Sequence, residues 1–200
     1  MKTILISIQP QYLVDILNKK KTLELRTVVP QVELPCKYII YCSKEKHING
    51  KLIRYISPID NKYNFTIGYY GEKLNGKVVA EFICNEINEF CFNGKGFYDI
   101  QGKNLDYEKT CLSLGDILHY ATRKNSFETK NVFTIKIDNL KIYDTPRRLS
   151  DLKKQNKCYY ANCDNGCCWE NCVIYNLGDC DGRCSRLERA PQSYQFIEEI

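Results

Sequence analysis

The segment that decides the fold is SIQPQYLVDILNKKKTLELR, residues 7–26. It continues the apolar run TILISI, and a run of this kind predicts a buried strand. Pro10 suits the first position of a helix, because a proline there loses no intrahelical hydrogen bond. The apolar residues that follow recur at helical spacing: Tyr12, Leu13, Ile16 and Leu17. The segment therefore predicts a buried strand and then a helix of about two turns.

The end of this segment, TLELR, alternates apolar and charged residues, which predicts a half-buried strand. Leu23 and Leu25 are expected to face inward. Glu24 and Arg26 are expected to face outward, about 7 Å apart along the backbone. Lys21 lies at the junction of helix and strand, where its ammonium can lean toward the same face.

Two interpretations of these charges are open. One is an ion pair at a surface strand edge, worth under about 1 kcal/mol. The other is a ligand site, because an ammonium, a carboxylate and a guanidinium on one cleft can bind a base edge, a ribose and a phosphate. A lysine desolvated beside an arginine could also act as a base or nucleophile.

The rest of the chain predicts further strands with a few helices between them. KYIIYC, KVVAEFICNEI, VFTIKIDNLKIYD (with a kink at Asp138–Asn139) and QSYQFIEEI read as strands. SLGDILHYAT reads as a helix capped by Ser113, and TPRRLSDLKKQ as a short helix opening with Pro146. Residues 43–76 read as a long, partly extended connection with room for a hairpin, where Tyr69 and Tyr70 could line a cleft.

This order of elements predicts an α+β fold: a small barrel or curled sheet with short helices at its ends. Residues 1–157 are expected to form the barrel, and residues 158–184 a cysteine-rich insert at its rim. Residues 185–200 would close the chain with the last barrel strand. The longest early apolar run, ILISI, is too short for a secretion signal or a membrane span, so we expect a cytoplasmic protein with no membrane partner. The net charge of +5 permits a nucleic-acid partner without requiring one.

Cysteine usage is unusual. The chain has twelve cysteines, and seven of them fall between residues 158 and 184. Without a signal peptide such clustering favours metal binding over a disulfide framework, and thiolates suit structural zinc. Redox chemistry, an iron–sulfur cluster and free thiols are the alternatives. We expect the zinc ligands to be Cys163, Cys172, Cys180 and Cys184. The five remaining cysteines read as small core residues.

The N-terminal half resembles the ASCH family of the PUA-like superfamily. Its signature runs strand, proline-opened helix, then Gly-x-Lys-x-x-Glu-x-Arg. Pro10, Lys21, Glu24 and Arg26 match this pattern, but Lys19 stands where the family usually has glycine. NGKVVAEFICNEI, IDNLKIYDTPRRLSDL and the ending LERAPQSYQFIEE also resemble the family, the last resembling longer phage and Gram-positive bacterial members.

The resemblance implies a PUA-like barrel whose cleft, built around Lys21, Glu24 and Arg26, accepts RNA or a modified nucleoside. One branch of the family hydrolyses acetylcytidine with the motif lysine as its catalytic group. The alternative function is therefore an amidohydrolase on an acylated nucleoside, with Lys21 and Glu24 as catalytic residues. Glu24 occupies the position where that branch has an assisting threonine. The sequence leaves open whether the protein is an enzyme, and it does not fix the oligomeric state.

Overall fold

The structure is a computed structural model that describes residues 1–44, 51–122, 128–154, 187 and 190–198. Thirteen strands lie in this part of the chain: β1 Thr3–Ile8, β2 Leu23–Arg26, β3 Cys36–Cys42, β4 Leu52–Ile56, β5 Tyr63–Ile67, β6 Glu72–Lys73, β7 Lys77–Cys84, β8 Ile87–Phe92, β9 Phe97–Tyr98, β10 Val132–Lys136, β11 Asp138–Arg148, β12 Lys153–Lys154 and β13 Tyr194–Glu198. Three α-helices accompany them, α1 Pro10–Leu17, α2 Tyr107–Thr110 and α3 Leu114–Ala121, with a 3₁₀ turn at Leu149–Asp151.

The largest sheet has the strand order β11-β7-β3-β1-β13-β12. Its centre, β1, pairs in parallel with β3 and antiparallel with β13. Ile4 and Ile6 pack in one core cluster with α1, whereas Leu5 packs in a second cluster with Tyr41 and Ile197. Burial on both faces explains why β1 is a continuous apolar run, as the sequence predicts.

The helix that follows β1 begins at Pro10, as predicted. Leu13, Ile16 and Leu17 are buried against the sheet. Tyr12, expected on the same apolar face, is instead 40% exposed. The other predicted helix, α3, has a complete capping box between Ser113 and Asp116, which satisfies backbone donors at its first turn.

Two smaller sheets complete the described structure. One has the order β2-β10-β8-β9, and the other has the order β5-β4-β6. The latter occupies most of the connection between β3 and β7, where the sequence indicated a hairpin. The strands β8 and β9 and the helix α2 were not predicted from the sequence.

The described strands form three sheets and do not close into one hydrogen-bonded barrel. The largest sheet continues into the β2-containing sheet along two routes, because β7 leads directly to β8 and β10 directly to β11. At the second corner Asn139 takes the left-handed backbone conformation, with φ 51°. The result is a curled sheet that turns a corner, within the α+β class expected from the sequence.

The helix predicted to open at Pro146 is wrong. Residues 138–148 form one strand, in which Arg147 pairs with Val78 and Arg148 with Lys77 of β7. Pro146 falls where the register shifts between Ile142 and Arg147, so its missing N–H does not break the regular ladder. Pairing with β7 overrides the local helix signal, and only the 3₁₀ turn remains.

Three of the five scattered cysteines, Cys36, Cys42 and Cys84, are buried as expected. Cys91 and Cys111 are exposed, so their assignment to the core is wrong. The seven clustered cysteines lie outside the described residues, as does the whole of the predicted insert, residues 158–184. No helix in the described part of the chain is long and apolar enough to cross a membrane.

Candidate functional site

Lys21, Glu24 and Arg26 come together in the structure. Glu24 Oε1 lies 3.0 Å from Arg26 NH2, and Glu24 Oε2 lies 3.6 Å from Lys21 Nζ. The side chains of Glu24, Arg26 and Lys21 are 6%, 12% and 2% exposed, respectively. The surface ion pair that the sequence left open is therefore excluded, and so is the expectation that Glu24 points out to solvent. Both faces of β2 are covered, because Leu25 packs into a core cluster with α3.

Lys21 is positioned by the turn that ends α1. Lys19 adopts the left-handed conformation at φ 60°, and the backbone N–H groups of Lys20 and Lys21 both donate to the carbonyl of Asp15. This conformation explains the glycine that the ASCH pattern has at this position, because glycine adopts it without steric cost. Lys19 adopts the same conformation, which is strained for a residue with a Cβ atom.

The Lys21 ammonium is held by the end of α2. Its Nζ donates to the carbonyl oxygen of Thr110 at 2.7 Å. Thr110 is the last residue of that helix, so its carbonyl accepts no hydrogen bond within the helix and can accept one from the ammonium. The backbone N–H of Thr22 donates to the carbonyl oxygen of Lys109, the residue before Thr110. This bond joins the start of β2 to the same helix.

Arg26 connects β2 to β1. Its NH2 donates to the carbonyl oxygen of Ser7 at 2.6 Å. Two buried polar atoms at this junction, the hydroxyl oxygen of Ser7 and Nε of Arg26, have no hydrogen-bond partner among the described residues. Unpaired buried polar groups are rare and costly, so these two atoms would gain from a ligand that offers them hydrogen bonds.

The three charged residues and Ser7 line a cleft of about 1040 Å³. Its walls come from the start of α1 (residues 9–12), from α3, from the 3₁₀ turn and from the residues before β13. Three cations (Lys21, Arg26, Lys44) and two carboxylates (Glu24, Asp116) line it. The charges are mixed, so the cleft suits a ligand that offers both hydrogen-bond donors and acceptors.

Two tyrosines border this cleft from different helices. Tyr12 on α1 is 40% exposed and Tyr120 on α3 is 48% exposed, and both are lining residues. Half-exposed tyrosines on a cleft offer ring surface for stacking together with a polar hydroxyl. Sequence reasoning missed both as site residues, because periodicity assigned them to the apolar faces of their helices.

Other residues considered from the sequence are placed elsewhere. Tyr69 and Tyr70 do not line the cleft. The expected zinc ligands Cys163, Cys172, Cys180 and Cys184 lie outside the described residues. Within the described ranges no cluster of three or more histidine, cysteine, aspartate or glutamate side chains could hold a metal ion.

The sequence matches no protein-family model and no curated protein significantly. In three dimensions the chain is similar to ASCH from Zymomonas mobilis, with a TM-score of 0.51 and 14% identity over 99% of this chain and 89% of that one. It is similar to a tyrosine-to-phenylalanine variant of that protein, with a TM-score of 0.52 and 13% identity over 100% and 92% of the two chains. This chain has an ASCH-type fold.

The ASCH-type fold confirms the family fold that the motif in residues 10–26 implied, although the described strands do not close into the expected barrel. At this level of identity the likeness concerns the fold alone. The cysteine-rich subtype and the roles of individual cleft residues are not part of it and stay predictions.

Proposed function

We propose that this ASCH-type protein binds single-stranded RNA or a modified nucleoside in the cleft around Lys21, Glu24 and Arg26. The observation that carries the proposal is the buried carboxylate of Glu24 between two cations, beside two unpaired polar atoms. A base edge presents donor and acceptor atoms side by side, and this group of side chains complements such an edge. A phosphate suits the centre of the group less well, since Glu24 would repel it.

The size and walls of the cleft support an oligonucleotide more than a small metabolite. Pockets for drug-sized ligands span about 300–1,000 Å³, and the volume of this cleft lies slightly above that range. Tyr12 and Tyr120 provide stacking surfaces of the kind that RNA-binding proteins use for unpaired bases. The PUA-like resemblance of the fold supports the same ligand class.

Binding is tested by fluorescence anisotropy of a labelled single-stranded RNA, with the Kd measured at several salt concentrations. Arg26→Lys keeps the charge but loses the planar fork, and we expect it to weaken binding at least about tenfold. Lys136→Arg, at an exposed position in β10, is the matched control. If the two variants have equal affinity, the cleft does not carry the binding.

The alternative function is amide hydrolysis of an acylated nucleoside such as acetylcytidine. The observation that favours it is Lys21, whose buried ammonium lies in the cleft within 3.6 Å of the Glu24 carboxylate. An enzyme would release acetate and lose this activity in a folded Lys21→Ala variant. Tight RNA binding without turnover would exclude this alternative for the substrate tested.

We also propose that the cysteine-rich segment binds one zinc ion through Cys163, Cys172, Cys180 and Cys184. The support is the spacing of thiols and glycines in the sequence. A site with four thiolate ligands has no open coordination position, so the zinc would be structural.

A further inference from the structure

A second surface of the molecule combines exposed tyrosines with positive charge. Of thirteen large hydrophobic residues exposed in the described part of the chain, seven lie between residues 55 and 70. This stretch belongs to the β5-β4-β6 sheet. Outside the Arg54–Glu72 ion pair, in which Arg54 is buried, residues 51–73 carry three lysines and one carboxylate. The motif resemblance does not extend to this region, so the sheet needs its own explanation.

One face of this sheet is attached to the body of the protein. Leu52 and Phe65 belong to the core cluster that includes α1, and Asn18, the residue after α1, donates to the Phe65 carbonyl at 2.9 Å. Side chains alternate between faces, so Lys51, Ile53 and Tyr55 lie on the opposite face, with Asn64 and Thr66 of β5 beside them. We refer to this opposite face as the outer face.

The loop at residues 68–71 brings two more tyrosines to the outer face. Ile53 lies on that face, yet it is only 1% exposed. Gly71, with φ 125°, lies over it so closely that an added Cβ would be 2.4 Å from Ile53 Cγ2. The loop therefore covers Ile53 and carries Tyr69 and Tyr70, which are 63% and 93% exposed, next to the outer face. Lys51 Nζ lies 5.5 Å from the centre of the Tyr69 ring.

We propose that the outer face, defined by Lys51, Tyr55, Thr66, Tyr69 and Tyr70, is a second contact surface for single-stranded RNA. Its ligand class rests on the proposed function, but its residues are separate from the cleft. Exposed rings next to ammonium groups suit stacked bases with an adjacent phosphate chain. The face runs about 13 Å from Lys51 to Tyr55, which gives length for more than one base.

Charge and composition favour RNA over a protein partner. The aliphatic residue of the outer face, Ile53, is covered, and the groups left exposed are tyrosine rings, amide, hydroxyl and ammonium groups. A protein-binding patch would have an apolar centre. The helix α1 borders the cleft at residues 9–12, and Asn18, the residue after it, contacts the attached face of this sheet, so an RNA that reaches both surfaces passes around the edge of the sheet.

The test compares a trinucleotide with a fifteen-nucleotide single-stranded RNA in anisotropy titrations of the full chain. We expect Tyr69→Ala/Tyr70→Ala to weaken the longer RNA at least about tenfold. Trinucleotide affinity should change less than about twofold, because the cleft is intact. The matched control is Tyr69→Phe/Tyr70→Phe, which keeps both rings and should bind the longer RNA within about twofold of the unmodified protein. Tyr70→Ala alone removes a ring that is 93% exposed and so tests the idea without risk to folding.

Unchanged affinity of the alanine variants for the longer RNA would overturn the inference. If those variants instead lower the sedimentation coefficient and leave RNA affinity unchanged, the outer face is a contact between copies of this chain. Failure of the proposed function would give a different result: Glu24→Gln and the unmodified protein would bind the trinucleotide equally poorly. Tyrosine-dependent binding of the longer RNA would still support the outer face in that case.

Discussion

Glu24 Oε1 lies 3.0 Å from Arg26 NH2 in a nearly solvent-free setting, and the same carboxylate faces the Lys21 ammonium at 3.6 Å. One carboxylate thus forms ion pairs with two buried cations. Each cation also has a backbone carbonyl acceptor, Thr110 for Lys21 and Ser7 for Arg26. The group links β2 to α2 on one side and to β1 on the other, so it has a structural role in addition to any binding role.

Glu24→Gln should lower the free energy of unfolding by about 3 kcal/mol, because it leaves two buried cations without their counter-charge. Urea denaturation at neutral pH measures this loss. The control is Glu86→Gln: Glu86 is 50% exposed and lies 3.9 Å from Lys136, so its replacement should change stability by under about 1 kcal/mol. Equal effects of the two substitutions would contradict the burial argument.

Ser7→Ala should weaken RNA binding about two- to tenfold without loss of stability. The hydroxyl has no partner in the part of the chain that the structure describes, so its removal relieves an unpaired buried group. In the complex the same hydroxyl would donate to the ligand, which is the interaction that the variant loses. Anisotropy and urea unfolding are measured on the same samples. Ser43→Ala, at another serine of the cleft wall, is the matched control. Unchanged affinity would mean that Ser7 does not touch the ligand.

Lys19→Gly should stabilise the protein by up to about 1 kcal/mol. Lys19 is held at φ 60°, which is strained for residues with a Cβ atom, and relief of that strain exceeds the added flexibility of glycine in the unfolded chain. Lys20→Gly is the control, because Lys20 is not among the described residues with positive φ, and it should destabilise. Thermal and urea unfolding of the two variants give the comparison. Destabilisation by Lys19→Gly would show that the side chain makes a contact that outweighs the strain.

Acid should remove the stabilisation due to Glu72. Burial alone would raise the pKa of this carboxyl, but hydrogen bonds donated by Lys77 and Arg54 outweigh burial and hold the pKa below its ordinary value of 4.5. A lowered pKa means that the ionised group stabilises the fold above about pH 4.5, and that this contribution is lost as the pH falls through the folded-state pKa.

The measurement is the difference in unfolding free energy between the unmodified protein and Glu72→Gln, at pH 6 and at pH 3. The difference should favour the unmodified protein at pH 6 and shrink at pH 3. Glu72 is 38% exposed, so solvent screening keeps the effect small. Glu33→Gln, at an exposed glutamate, gives the background. A difference that grows on acidification would contradict the sign.

Purified protein should contain one zinc ion per chain if the cysteine-rich segment binds metal as proposed. Elemental analysis gives the stoichiometry, and Cys180→Ser/Cys184→Ser should abolish binding. Cys36→Ser/Cys91→Ser changes two thiols outside the segment and should retain the metal. Full zinc content in the first double variant would exclude the assigned ligand set.

The sequence predicted those elements whose signal is local. The apolar run of β1, the proline of α1 and the capping serine of α3 each act within a few residues, and all three elements form as expected. The strand β11 was misassigned at Pro146 because its conformation depends on β7, more than sixty residues away in sequence.

The candidate site likewise has a part that the sequence predicts and a part that it does not. Lys21, Glu24 and Arg26 were identifiable because they lie within six residues. Their burial was not, since α2 and β1 cover them from distant parts of the chain. Ser7, Tyr12 and Tyr120 gave no chemical signal, and their role in the cleft depends on how β1, α1 and α3 are arranged in space.

Two described residues on either side of the cysteine-rich stretch lie next to each other. The backbone N–H of Leu187 donates to the carbonyl of Leu152 at 3.4 Å, so the two ends of the stretch between them are adjacent. During evolution a cassette at such a position can be gained, lost or exchanged without a change in the surrounding strands. For protein engineers, the same position is a natural splice point for grafting a foreign module onto the ASCH-type scaffold.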